Sequence, residues 1–147
     1  MEVIGEKSDK FRTKWCIFCK QRLNLNIIEN DFHIFLECTI SRAVWHCINQ
    51  RLSQAHLDVI VVNEATIFYK QGIGKPQSHL ISEVNWALWK NRCSNVYDDT
   101  LNSHVSVLKF LFHRLKVISK VDKVILSIRA YNNRWLGLNQ VIAALDQ

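Results

Sequence analysis

The sequence has no stretch long and apolar enough to span a membrane. A transmembrane helix needs about 20 consecutive apolar residues, whereas the longest apolar stretches here, DVIVV and VLKFLF, are interrupted by charged residues within a turn or two. The beginning, MEVIGEKSDKFRTKW, also lacks the apolar region and the small-residue cleavage site of a secretory signal. We therefore expect an intracellular protein that has no contact with a membrane.

Proline and glycine are scarce, and the chain contains no internal repeat. The one proline, Pro76, lies beside two of the four glycines in KQGIGKPQS, which is the clearest break in the sequence. We divide the chain into a tail at 1–11, a Cys/His module at 12–54, a connecting segment at 55–78 and a helical region at 79–147. For the connecting segment, a short strand and a partly ordered connection are equally compatible with the sequence.

The motifs of common catalytic classes are missing. There is no G-x-S-x-G sequence, and GIGKP from Gly72 lacks the spacing and the Ser/Thr of a phosphate-binding loop. We predict no catalytic residues, no enzymatic activity and no small-molecule substrate.

Helical periodicity dominates the rest of the chain. After Asn30 and Asp31, either of which can cap a helix, apolar residues recur at steps of three and four. Similar patterns begin near Ser78, a candidate cap, and continue toward the end of the chain. The predicted fold is mostly α, with a small zinc-knuckle-like N-terminal module followed by a helical bundle.

Four residues near the start could close around one metal ion. Five cysteines, an odd number, fit a disulfide framework poorly in an intracellular chain. Cys16 and Cys19 form a C-x2-C pair, a spacing that aims two thiolates at one tetrahedral ion, and His33 and Cys38 follow as an H-x4-C pair. The sequence therefore predicts one structural Zn²⁺ in a closed Cys3His site, without a position for catalytic water.

The sequence leaves two details of this site open. Residues five apart on a continuous helix point about 140° from each other, so we expect His33 in the helix entry or the first turn, with a bent approach to the ion. His46 and Cys47 are the substitutes if His33 does not reach. The alternative to a metal site is ordinary buried cysteines beside a surface histidine, and we interpret Cys47 and Cys93 as such core residues.

Positive charge is concentrated in the second half. Between Val105 and Arg134 a single acid, Asp122, stands among seven cations, so this segment carries a net charge of +6, equal to that of the whole chain. These cations are Lys109, Arg114, Lys116, Lys120, Lys123, Arg129 and Arg134. An acid-poor cationic face predicts weak binding of nucleic acid, RNA or single-stranded DNA, although a solvated helix face would have the same composition.

Two tryptophans could add to such an interface. Trp86 and Trp89 are helix neighbours, and Lys90 and Arg92 follow them, so their rings could stack on unpaired bases. We favour the alternative that Trp89 is a core residue and Trp86 borders the core, because large aromatic residues dominate small cores.

The stretch CIFCKQ…IIENDFHIFLECTISRAVW resembles the reverse-transcriptase zinc-binding domain at the C-terminal end of non-LTR (LINE-type) retrotransposon polyproteins. In that family a C-x2-C pair precedes E-x-x-x-H-x-F-x-x-C, and a helix with Val-Trp near its start follows. The matching positions here are Glu29, His33, Phe35, Cys38, Val44 and Trp45.

A second motif of that family, W-x-x-W-x-x-R, is matched by Trp86, Trp89 and Arg92, so the resemblance covers about residues 11–98. Cys93 stands where many members have Asn. The resemblance implies that the Cys3His set binds zinc, that the module helps to hold RNA or DNA, and that it acts in the nucleus or cytoplasm. We expect an isolated C-terminal segment without the polymerase and endonuclease domains.

The leading hypothesis is a non-catalytic zinc-binding module that binds nucleic acid. The alternatives are a helical protein-interaction module with a structural zinc, and a vestigial product without activity.

Overall fold

A computed structural model describes residues 14–98 and 102–145, which form a helical protein with a Cys/His cluster near its N-terminal end. Its elements are α1 (Ile17–Leu23), a π-helical turn (His33–Glu37), α2 (Thr39–Gln54), α3 (Glu64–Ile67), α4 (Lys75–Tyr97), α5 (His104–Ile125) and α6 (Ile128–Leu145). These residues form no strand, and Trp15 pairs with Ile28 in an isolated antiparallel bridge. The predicted mostly α fold is confirmed.

The four long helices, α2, α4, α5 and α6, pack on one another as a bundle. Their apolar stripes meet in a core whose largest fully buried side chains include Trp45, Leu80, Leu111, Leu115, Trp135 and Leu138. This core also includes Cys16, Cys19 and Cys38, so the N-terminal cysteines lie against the bundle. In the part of the chain described, no helix has the length and apolar character needed to cross a membrane.

The connection between α2 and α4 has no strand in its described conformation. Asn49 holds it instead, since its side-chain amide donates to the Ile60 carbonyl and accepts from the Ile60 N–H, both at 2.8 Å. These two bonds satisfy the backbone groups that a neighbouring strand would otherwise pair. Asn63 then caps the short helix α3 by accepting from the Thr66 N–H at 2.9 Å.

Helix α4 begins one turn earlier than predicted. The sequence suggested Ser78 as its cap, but the helix begins at Lys75, with Gly74 at the N-cap position and Pro76 in the first turn. Proline suits the first turn because the N–H it lacks has no partner within the helix there. Gly137 of α6 lies directly against Pro76: a Cβ atom at position 137 would come within 2.6 Å of the proline Cγ.

Candidate metal centre

Residues 14–38, which we call the Cys/His knuckle, begin with a chain reversal in which the segments before and after α1 pair with each other. The Cys16 N–H donates to the Ile27 carbonyl at 2.8 Å, and the Glu29 N–H donates to the Lys14 carbonyl at 2.7 Å. After α1 the chain turns at Asn24, whose φ of 54° lies in the left-handed region that asparagine tolerates. Cys16 precedes α1 and Cys19 lies in its first turn, so both thiols occupy the same end of that helix.

The π-helical turn explains the H-x4-C spacing. Its defining hydrogen bond runs from the Cys38 N–H to the His33 carbonyl at 2.7 Å, which places residues five apart one above the other. Asn30 accepts from the His33 N–H at 2.9 Å, as the predicted capping role requires. The chain then leaves the helical conformation at Cys38 and restarts as α2 at Thr39. His33 therefore lies at a helix entry, as predicted, and the π turn provides the bend.

The four predicted ligands come together. One donor atom from each of Cys16, Cys19, His33 and Cys38 lies within 4.8 Å of the other three. Cys19 Sγ is 3.4 Å from His33 Nε2 and 3.9 Å from Cys38 Sγ. In a tetrahedral zinc site, two sulfurs are about 3.8 Å apart and a sulfur and a nitrogen about 3.6 Å apart. The donor set therefore has the spacing of a four-coordinate site and could hold a metal ion.

All four side chains are buried, with 1% to 6% of their surface exposed. Disulfides are excluded as the reason for the cluster, because the cysteines are free thiols and the 3.9 Å separation is far above the S–S bond length of about 2.05 Å. Burying several polar donors together is unfavourable unless a partner satisfies them, and a metal ion would be that partner.

The electrostatics of the three thiols also favour a cation. Hydrogen bonding from Cys38, together with nearby His33, lowers the pKa of Cys16 to about 4. The hydrogen bond to Cys16 and then burial raise the pKa of Cys38, and burial raises the pKa of Cys19. A bound divalent cation would supply positive charge that favours the ionised form of all three thiols.

The remaining cysteines do not join the cluster. Cys47 is half-buried and packs against the core from α2, its neighbour His46 is exposed, and Cys93 is half-buried on α4. His33 reaches the site, so the substitute ligands are not needed.

The cationic residues predicted to contact nucleic acid occupy two kinds of environment. Lys109, Lys116, Lys120 and Lys123 are exposed on α5. At about 100° per residue they fall within one stripe on the side of α5 opposite its buried residues. Arg129 is exposed in the first turn of α6.

Arg114 and Arg92 are half-buried, and each contacts an acidic side chain. Arg114 Nε lies 2.5 Å from the Glu83 carboxylate. Arg92 Nη2 lies 2.8 Å from Glu29 Oε1, and the two side chains are only 19% and 13% exposed. This half-buried pair joins the knuckle to α4 across 63 residues of sequence. In the sequence Glu29 and Arg92 belong to separate motifs, and neither motif indicates that the two residues are in contact.

The favoured placement of Trp89 in the core was wrong. Trp86 and Trp89 are 44% and 40% exposed, because Val84, Ala87 and Leu88 occupy the core-facing side of α4. Each ring has an arginine over it: the Arg114 guanidinium carbon is 5.6 Å from the Trp86 ring centroid, and that of Arg92 is 5.2 Å from the Trp89 centroid. Lys90, which follows Trp89, is exposed.

A cavity of about 30 Å³ adjoins the knuckle, lined by Cys16, His33 and Cys38 and, from α4, by Asn91, Arg92 and Asn95 among others. This volume accommodates about one water molecule.

Comparisons with protein-family models, with curated proteins and with solved structures find no match to this chain.

Proposed function

We propose that this chain is a non-catalytic, zinc-stabilised helical module that binds single-stranded nucleic acid through exposed cationic and aromatic side chains. Zinc is the metal that the donor set favours, since three thiolates and one imidazole form a typical closed structural site. Thiolate ligands also fit a reducing compartment, the nucleus or the cytoplasm. The buried Cys3His cluster is the observation that carries this proposal.

The surroundings of the cluster support a structural role for the metal. A catalytic zinc keeps one coordination position for water or substrate. Here four protein donors are close enough to complete the tetrahedron, and the adjoining cavity of about 30 Å³ is too small for a substrate.

Nucleic-acid binding is supported by the lysine stripe of α5 and by the two exposed tryptophans of α4. Exposed lysines attract phosphates, and the exposed parts of the two indole rings, each of which also contacts an arginine, offer surface on which a base can stack. The resemblance to the zinc-binding domain of non-LTR retrotransposon reverse transcriptases favours the same function. The Glu29–Arg92 contact is consistent with it, because it brings together two sequence motifs that carry the resemblance.

A helical protein-interaction module with a structural zinc is the second candidate, and exposed Trp86 and Trp89 favour it. A salt titration distinguishes the two. We expect the affinity for a fluorescein-labelled oligo(dT) strand to fall steeply with salt, with a log–log slope of about −0.7 for each phosphate contact. An affinity independent of salt, or no binding of the strand, would favour protein interaction instead.

Two pairs of variants complete the test. Cys16→Ser should lower the zinc content in native mass spectrometry from one ion per chain to none, whereas Cys93→Ser should leave it unchanged.

Lys120→Gln should weaken strand binding and reduce the salt slope, whereas Lys20→Gln, which removes an equal charge from the exposed surface of α1, should do neither. Full zinc content in Cys16→Ser would contradict the metal site.

A further inference from the structure

A groove of about 430 Å³ lies between the first turns of α4 and α6. Its lining residues are Lys75, Ser78, His79, Ala130, Asn133 and Arg134. The volume falls within the range of about 300–1,000 Å³ that is typical of ligand sites. Every polar side chain in this lining can donate a hydrogen bond, two of them carry a permanent positive charge, and no carboxylate is among them. Such a lining is complementary to an oxyanion.

An ion pair with Asp122 fixes the position of the Arg134 side chain. Asp122 is buried, and its Oδ2 atom accepts from Trp135 Nε1 at 2.8 Å and lies 3.2 Å from Arg134 Nη1. The Arg134 side chain is nevertheless 46% exposed. One edge of the guanidinium is therefore fixed by the carboxylate, which leaves other N–H groups of its fork for a ligand, and a prepositioned donor loses less conformational entropy on binding.

His79 lies on the opposite wall of the groove. Burial and then the nearby Arg134 lower its pKa, with Lys70 acting in the same direction and Glu83 and Asp122 opposing it. The lowered pKa favours the neutral imidazole, which can donate one N–H. An anion in the groove would offset the repulsion from the cations and raise the pKa of His79.

The fit between the two helices gives the groove a defined shape. Gly137 of α6 packs against Pro76 in the first turn of α4, with no space for a Cβ atom between them. The two walls are thus held at a fixed separation one turn away from the polar lining.

We propose that this groove is a phosphate-binding site, in which Lys75, His79, Asn133 and Arg134 contact the phosphate oxygens. We assign this phosphate to the backbone of a bound single strand, an assignment that rests on the proposed function. The same oxyanion chemistry occurs in lipid headgroups and in free phosphate, and the experiment separates these sources.

The decisive variant is Asn133→Asp, which puts a carboxylate into the groove at nearly constant shape. Asn133 is exposed, so the change should not disturb the fold. Asn132→Asp is the matched control: it makes the same charge change on the neighbouring exposed residue, which is outside the groove lining. Lys75→Gln is a second groove variant, again at an exposed position.

The first measurement is titration of the full chain with inorganic phosphate, monitored through the backbone amide resonances of residues 75, 77–79 and 130–134. We expect saturable shifts of these resonances and a rise in the pKa of His79. Asn133→Asp should lower the affinity for phosphate about tenfold, and Asn132→Asp should leave it nearly unchanged. Absence of saturable shifts, or equal weakening by both variants, would overturn the site.

The second measurement compares the oligo(dT) strand with vesicles of phosphatidylcholine containing one-fifth phosphatidic acid. Weaker strand binding in Asn133→Asp and Lys75→Gln, but not in Asn132→Asp, supports the assignment to nucleic acid. If vesicle binding alone depends on Asn133, the groove is a phosphate site but the assignment to a strand is overturned. If the strand binds normally to Asn133→Asp but poorly to Lys120→Gln, the groove inference fails while the proposed function stands.

Discussion

The Cys/His knuckle and the four-helix bundle differ in what they bury. In the knuckle the buried side chains are mainly the four donors, and larger apolar residues face solvent: Leu23, Leu25, Ile28 and Phe32 are 41% to 53% exposed. In the bundle the fully buried side chains are tryptophan, leucine, isoleucine and valine from four helices. One region has ligands at its centre, and the other has a hydrophobic core.

This difference shows how a short segment can be ordered without a core of its own. Hydrophobic burial stabilises by about 25 cal/mol per Å² of apolar surface, and the four exposed apolar side chains of the knuckle contribute little to this term. Metal binding can supply on the order of 10 kcal/mol to a structural zinc site at neutral pH. We therefore expect the knuckle to depend on the metal and the bundle to depend on packing.

The largest effect should follow removal of the metal. Treatment with a zinc chelator, or Cys38→Ser, should remove the ordering free energy of the knuckle, on the order of 10 kcal/mol. Hydrogen exchange should then show loss of amide protection in residues 14–38 and much less change in α5 and α6. Cys47→Ser, at a half-buried cysteine outside the cluster, is the control. Unchanged protection of the knuckle after chelation would contradict its dependence on metal.

Truncation of a buried side chain in the bundle should destabilise the fold without removing zinc. Leu111 is fully buried, and Leu111→Ala should lower the free energy of unfolding by about 2–5 kcal/mol while the zinc stoichiometry stays at one per chain. Urea unfolding and native mass spectrometry would measure the two quantities. Lys109→Ala, at an exposed position on the same helix, is the control for a truncation that leaves no cavity. Loss of zinc from folded Leu111→Ala would show that the two regions are not stabilised separately.

How far each region could be predicted from sequence follows from the same difference. The four ligands were identifiable because the chemistry of a metal site resides in residue type and local spacing. The apolar stripes of the bundle were also visible, since helical periodicity records which side of a helix is buried. The break at Cys38 was not visible, because the apolar pattern continues through it from Phe35 to Val44. The hydrogen bonds of the π turn are backbone bonds that leave no mark in that pattern.

Contacts between distant segments could not be predicted from the sequence, for a different reason. The spacing of Trp86 and Trp89 shows that they share a side of α4, but only the packing of the other helices determines whether that side is covered. The partnership of Glu29 with Arg92 likewise depends on how the knuckle lies on α4. A single sequence records periodicity within an element and carries almost no information on which elements meet.

That ion pair gives the next prediction, because it joins the two regions. Glu29→Gln preserves shape but leaves Arg92 half-buried without a countercharge, and we expect a loss of about 1–2 kcal/mol in the free energy of unfolding. The measurement is urea unfolding of the zinc-bound protein, with Glu37→Gln, at an exposed acid of the π turn, as the control. Equal stability of the two variants would mean that the ion pair does not couple the knuckle to the bundle.

The smallest effect concerns the closeness of packing within the bundle. Gly137 lies inside α6, where glycine to alanine would ordinarily stabilise a helix by about 1 kcal/mol. At this position the new Cβ atom would lie 2.6 Å from the Pro76 Cγ, and a proline ring at a helix start has little freedom to move. The strain, about 1–3 kcal/mol for an overpacked site, should exceed the helix gain, so Gly137→Ala should lower the melting temperature by a few degrees. Asn132→Ala, at an exposed position of the same helix, should not lower it. A higher melting temperature for Gly137→Ala would mean that the first turn of α4 can move away from α6, and that the bundle tolerates imperfect packing at this end.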